Sequence, residues 1–197
     1  DQTAMAIGKT RFNGEIVAAV AAETEAQAEH ACRLVRVVYE PLEPFFEIDD
    51  ALTDAGSHEK IHEHVRFNNN VHKKAELRFG NQQEGLERSH ARVRGSFEFA
   101  GLSHGFTEPH ASIAYGDENG LTMVSATQVP HYLHRSLAKV LGVPLHRVRV
   151  VKPTVGGGFG GKSDPFAHEL IIAHLSRKTG RPVRVCLSRE EVFLVNH

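Results

Sequence analysis

The sequence predicts an α+β fold, and three observations carry that prediction. Short β-branched or alternating apolar segments are interleaved with segments of helical period. Capping boxes or closing glycines bound the helical segments, and the densest glycine cluster falls between a strand pattern and a helix pattern. At 197 residues the chain has room for one large domain or two small ones, enough to bury a core.

Taken in order, residues 16–22 form an apolar run without charges that reads as a first strand. Thr24 and Gln27 then make a capping box, which starts a helix. Ala28, Ala31, Cys32 and Val35 recur on one face of that helix, so it is expected to cover a sheet. Residues 35–39 turn strand-like, and Pro41 and Pro44 stop them. From about 49 to 90 the apolar density falls and glycines and asparagines break any period, the signature of a connecting stretch. Its His58, His62, His64 and His72 include a His-x-His pair, but no carboxylate or cysteine recurs at ligand spacing, so exposed surface is expected. Residues 91–100 alternate as a strand around Val93, Phe97 and Phe99, and 112–115 with 121–125 predict a hairpin about the turn 117–120. A helix follows over 130–141, closed by Gly142 and Pro144. Then come a strand at 148–151, a helix over 165–178 closed by Gly180, a strand at 183–187 and a last helix opened by Ser188-Arg189-Glu190-Glu191.

Composition narrows the function classes. Hydrophobic residues make up 41% and charged residues 24%, with 23 basic against 24 acidic side chains, which argues against disorder and against nucleic-acid binding by bulk charge. No apolar run approaches the roughly 18 residues of a membrane span. The two cysteines, Cys32 and Cys186, exclude a cysteine-ligated zinc or iron-sulfur site within this chain and are expected as buried free thiols in a reducing compartment. The opening residues 1–5 lack both an initiator Met and a signal-peptide pattern, so the chain is expected to be processed or part of something longer.

The informative segment is 155–163, with five glycines in the six positions 156–161. Gly156, Gly161, Lys162 and Ser163 satisfy the phosphate-loop pattern, but the next strand leads into Ser188 and not into an Asp for magnesium. Gly156, Gly158 and Gly161 satisfy the dinucleotide fingerprint, but the loop stands late in the chain and not in an opening βαβ unit. Close packing of two backbones is the purely structural alternative. The remaining reading is a loop whose bare backbone approaches a large ligand, with Phe159 as its one bulky group.

This run, preceded by Ala126-Thr127-Gln128 and Leu141-Gly142-Val143-Pro144, resembles the molybdopterin-binding large subunit of the xanthine dehydrogenase and aldehyde oxidase family of molybdenum hydroxylases. Residues 14–20, 38–42, Glu108-Pro109-His110 and 188–191 look like family segments in the family's order, so the resemblance covers nearly the whole chain. It implies the end of an α/β-hammerhead domain over 1–50, a connector over 51–90 and the first part of a mixed α/β molybdopterin-binding domain over 91–197. It also implies that Gly157, Gly158, Phe159, Gly160 and Gly161 lie beside the molybdenum and pterin. Gln128 would donate a hydrogen bond to a molybdenum oxygen as a neutral amide, and no side chain here would ligate the metal directly. The family's catalytic base is a Glu beyond His197, so the chain is expected to hold no catalytic residue and to be inactive alone. The resemblance further implies a cytosine dinucleotide form of the pterin and partner subunits carrying iron-sulfur clusters and FAD. The parent would be a cytoplasmic enzyme that hydroxylates an sp² carbon of a small aromatic or aldehyde substrate, or runs the reductive reverse. Ser163 stands where xanthine-oxidising relatives carry a Glu that faces the purine. The run 162–166 and the ending 188–193 look closer to the 4-hydroxybenzoyl-CoA reductase branch. Glu108, His110 and Lys162 read equally as site or scaffold, and His131 and His134 as surface or core. Two other readings stay open, a stand-alone binding domain of the same fold and a phosphate-loop nucleotide binder.

Overall fold

The computed structural model describes residues 3–53, 60–62, 70–117 and 120–195. The chain divides into two units, one formed by residues 1–38 with 102–197 and the other by 39–101.

The first unit is built on a four-stranded sheet in the order β3-β2-β1-β4, with β1 Ala111–Asp117, β2 Gly120–Ser125, β3 Val148–Val151 and β4 Val183–Cys186. β1 pairs antiparallel with β2, Ser112 opposite Ser125 and Asp117 opposite Gly120, which is the expected hairpin; its turn residues 118–119 lie outside the described residues. β1 also pairs antiparallel with β4, whereas β2 and β3 run parallel. Parallel neighbours need a crossover, and helix α4, Pro130–Leu141, supplies it. Pro130 fits the first helical position, where an N–H has no partner in any case, and Gly142 ends the helix in the left-handed conformation at φ 63°. Helix α5, Ala167–Thr179, also ends on a left-handed glycine, Gly180. It begins two residues later than expected because Phe166 is extended and serves as its N-cap.

Burial alternates along the hairpin. Ser112 and Ala114 of β1 and Leu121, Met123 and Ser125 of β2 all point inward. The helices α4 and α5 supply Leu133, Leu137, Ala138, Ile172 and Ala173 to the same core. Two serines inside this layer need partners, and they have them. Their hydroxyls are 2.9 Å apart, and that of Ser125 donates to Glu169, whose other carboxyl oxygen accepts the Phe166 N–H at 2.8 Å. Burial pushes the Glu169 carboxyl up to about 7, against the lowering effect of these two hydrogen bonds. The neighbouring His168 is held down to about 3 by burial and by the proximity of His110.

The remaining helix of consequence is α6, Arg189–Val195, which the expected capping box opens: the Glu191 N–H donates to Ser188 Oγ at 3.2 Å and the Ser188 N–H to Glu191 Oε2 at 2.6 Å. Near the N-terminus, helix α1, Glu25–Leu34, begins at the predicted Thr24–Gln27 box. It does not cover a sheet, however. Ala28 and Ala31 are half-buried, Cys32 and Val35 are exposed, and residues 16–22 and 35–39 find no strand partner among the described residues. β-branched composition makes a strand only where a neighbouring ladder exists, and neither segment has one among the described residues. Cys32 and Cys186 are both exposed, contrary to expectation. Cys186 shares the outward side of β4 with Arg184, set by the period-two alternation of that strand.

In the second unit the described residues form only two short helices, α2 Ile48–Leu52 and α3 Gln82–Glu87. None of these residues is buried, in keeping with a segment that has little core of its own. The strand expected over 91–100 is absent, with Val93, Phe97 and Phe99 each more than nine-tenths exposed. Of the four histidines, His58 and His64 lie outside the described residues. No helix among the described residues is long and apolar enough to cross a membrane.

The buried Glu169 makes stability depend on pH. Its folded-state pKa lies above the ordinary value of 4.5, so the stability its neutral form contributes is complete below that pH and is lost as pH rises through about 7. His168 acts in the opposite sense, its contribution being complete above 6.5 and lost as pH falls towards about 3. Replacing Glu169 by Gln removes the first titration alone. Urea unfolding at about pH 5 and about pH 8 is expected to show the variant losing roughly 3 kcal/mol less than the wild type between the two.

Candidate functional site

The glycine-rich loop joins β3 to α5 and is held at three places. At its far end the backbone of Gln128 donates to the Lys162 carbonyl at 2.8 Å, and Gln128 Oε1 accepts the N–H groups of Gly160 and Lys162, each at 3.1 Å. Those two donors fix which way the amide faces, with oxygen toward the loop. The Nε2 group is left with no protein acceptor among the described residues. Buried Thr127 secures the same stretch by accepting the Val129 N–H at 3.1 Å.

The near end is held by charge. Glu108 Oε2 accepts the Gly156 N–H at 2.9 Å and the Lys162 ammonium at 2.7 Å, so one carboxylate binds the first and last turns of the loop together. The Lys162 side chain is fully buried and lies 4.8 Å above the Phe106 ring, with Arg189 5.9 Å from the same ring. Desolvation alone would raise the Glu108 carboxyl, but the hydrogen bonds from Lys162 and Gly156 and the Lys162 charge outweigh it and hold the carboxyl below its ordinary value. Inside the loop the Gly161 N–H closes on the Gly158 carbonyl at 2.7 Å and the Ser163 N–H on the Gly160 carbonyl at 3.0 Å.

Glycine is required here for two reasons. Gly157 and Gly160 have φ near +100°, and a Cβ on Gly158 or Gly161 would stand 2.4 Å from Gln128 Oε1 or 2.7 Å from the Phe106 ring. Phe159 shares the left-handed conformation, at φ 51°, although it is not a glycine, and its ring is 74% exposed. The N–H groups of Gly157, Gly158 and Phe159 have no hydrogen-bond partner among the described residues. Three successive N–H groups without a protein partner are the kind of donor set that suits an electron-rich ligand.

The structure thus brings Gln128 and the loop 157–161 together, with Glu108 and Lys162 as their scaffold. His110 is buried against Phe106, Phe166 and His168 behind the loop. His131 and His134 lie on α4, and His134 Nε2 meets the Leu145 carbonyl at 2.9 Å. A phosphate-loop role for Lys162 fails on this geometry: its ammonium is buried in an ion pair, and α5 begins at Ala167, so Lys162 and Ser163 do not open a helix. His104, which sequence reasoning passed over, lies along Gly160 and Gly161. A single histidine in Leu-Ser-His-Gly carries no local signal of that placement.

Comparison with known proteins gives this arrangement its family. Residues 61–197 match the molybdopterin cofactor-binding domain, and residues 1–43 match the aldehyde oxidase and xanthine dehydrogenase a/b hammerhead domain. The chain belongs to the xanthine dehydrogenase and aldehyde oxidase family. It is 35% identical over 185 residues to the putative xanthine dehydrogenase molybdenum-binding subunit of Escherichia coli K12, covering 93% of this chain and 24% of that protein. It is 33% identical over 197 residues to the nicotinate dehydrogenase large molybdopterin subunit of Eubacterium barkeri, covering 100% of this chain and 45% of that protein. Among solved structures, quinoline 2-oxidoreductase from Pseudomonas putida 86 superposes with a TM-score of 0.86 at 34% identity, covering 98% of this chain and 24% of that one. The chain therefore spans less than half the length of these relatives.

For this family member the Glu108–Lys162 pair is expected to dominate the stability of the loop. Glu108→Gln leaves a buried ammonium without its counter-charge and should cost about 3 kcal/mol in urea unfolding. The double variant with Lys162→Met should recover part of that loss, because no uncompensated charge then remains buried. A single Glu108→Gln substitution costing less than about 0.5 kcal/mol would show that the pair holds nothing together.

Proposed function

We propose that this chain is the cofactor-seating part of a molybdenum-dependent oxidoreductase, in which the glycine loop and Gln128 hold the molybdopterin group. The observation that carries this reading is the row of free N–H groups at Gly157, Gly158 and Phe159 beside the free amide nitrogen of Gln128. All are donors, and the glycines at 158 and 161 let the Gln128 and Phe106 side chains pack directly against the loop backbone. Such a surface suits a ligand rich in acceptor atoms, as an oxygen- and sulfur-bearing metal centre is. When bound, the cofactor supplies the two-electron redox chemistry that no side chain provides.

The residues present would orient that group and polarise it. The three N–H groups and the Gln128 amide donate without bringing formal charge, so they position acceptor atoms while leaving the charge of the site unchanged. Phe159 would shape the substrate side with an apolar ring. Proton transfer is assigned to a Glu beyond His197 in the parent, and the chain alone is expected to show no turnover.

In the same reading, residues 1–50 end an α/β-hammerhead domain, 51–90 connect, and 91–197 begin the molybdopterin-binding domain. The parent works with an iron-sulfur subunit and an FAD subunit, and its pterin is the cytosine dinucleotide form. Its substrate is a small aromatic or aldehyde molecule, and Ser163 followed by Asp164-Pro165-Phe166 favours the 4-hydroxybenzoyl-CoA reductase branch over purine oxidation. Two exposed free thiols suit a reducing cytoplasm.

The test is molybdenum content of the full-length parent purified with its partner subunits. Wild type should carry molybdenum and pterin in stoichiometric amounts. Gln128→Glu keeps the oxygen that accepts from Gly160 and Lys162 but removes the amide donor and adds a negative charge, and should lower retained molybdenum about tenfold. A parent without molybdenum, or a Glu variant that retains it fully, would overturn the assignment.

A further inference from the structure

His104 stands out because its Nδ1 atom is buried with no hydrogen-bond partner, the only such side-chain atom among the described residues. Buried polar atoms are nearly always satisfied, so an exception calls for a reason. The ring lies against the glycine loop. A Cβ built on Gly161 would stand 3.0 Å from Nδ1, and one built on Gly160 would stand 3.5 Å from Nε2. The two nitrogens differ in access: Nδ1 is sealed against the loop backbone, whereas Nε2 is neither sealed nor bonded to protein.

This asymmetry selects a tautomer. A proton on Nδ1 would bury a donor with nothing to receive it, which native structures tolerate less often than an under-satisfied acceptor. A proton on Nε2 leaves only a lone pair facing the loop and places the N–H at the open edge beside Gly160. Resting on the cofactor-seating reading above, we propose that His104 is a further cofactor-binding residue. It presents Nε2–H, which lies along Gly160 of the same loop, to an acceptor atom of the bound group. The glycine at 161 serves this arrangement as well, since a Cβ there would stand 2.9 Å from the imidazole and push it away.

Two amide substitutions separate the nitrogens, because a Gln side chain reaches to about the position of Nε2 and an Asn side chain only to that of Nδ1. The experiment measures molybdenum and pterin retained by the full-length parent after prolonged dialysis, a readout independent of turnover. His104→Gln should retain nearly the wild-type amount, and His104→Asn and His104→Phe about tenfold less. Wild-type retention in the Phe variant, or an Asn variant equal to the Gln variant, would overturn the proposal. Thermal unfolding is recorded for each variant, and should Phe fail to fold, the contrast between Gln and Asn decides. Loss in Gln128→Glu with full retention in His104→Phe would overturn this proposal alone. A wild-type parent without molybdenum would overturn it together with the reading it rests on.

Discussion

Gln128 and Lys162 grip each other in both directions, backbone to backbone one way and backbone to side chain the other. Everything about the site depends on this reciprocal pair. Gln128 stands three residues past the end of β2, so the far end of a glycine-rich loop, a segment with little stiffness of its own, is referenced to the sheet. Each such bond contributes only about 1 kcal/mol net, but leaving its groups unpaired inside the protein would cost about 1–3 kcal/mol, which keeps the loop in one place. The Gln128 side chain spends its oxygen on this task, and for that reason its nitrogen is available for another.

The ion pair beneath the loop answers a different need. A buried Lys–Glu pair adds little stability over a well-packed apolar pair, because desolvation offsets the Coulombic gain. An apolar pair, however, would not accept the Gly156 N–H. The carboxylate of Glu108 therefore contributes direction: it ties the start of the loop to its end while Phe106 covers the ammonium from the other side. In the helical layer behind, Glu169 does comparable work, joining the start of α5 to the serines of the hairpin.

Local signals were legible in the sequence wherever they are self-contained. The capping boxes at Thr24 and Ser188 and the left-handed glycines at 142 and 180 sit where their residue types require, and the hairpin of β1 and β2 follows from its alternation and turn. Strand identity was not legible where it depends on a distant partner, as over 16–22, 35–39 and 91–100. A pattern of β-branched residues states a preference, and only a neighbouring ladder turns it into a strand. At the site, the glycine cluster and Gln128 were visible as motifs, but the ion pair of Lys162 with Glu108 spans 54 positions and no local spacing encodes it. His104 was invisible for the same reason: its importance lies in which backbone it touches.

Phe159 combines a backbone conformation that suits glycine with a large ring left mostly in water. Neither property favours folding, since the left-handed backbone of a bulky residue costs about 1–2 kcal/mol and an exposed aromatic ring gains nothing from burial. A glycine at this position would meet the same backbone conformation without that cost, extending the run on either side of it. Phe159 is thus a local burden on folding set at an exposed position of the loop, where a glycine would strain the backbone less.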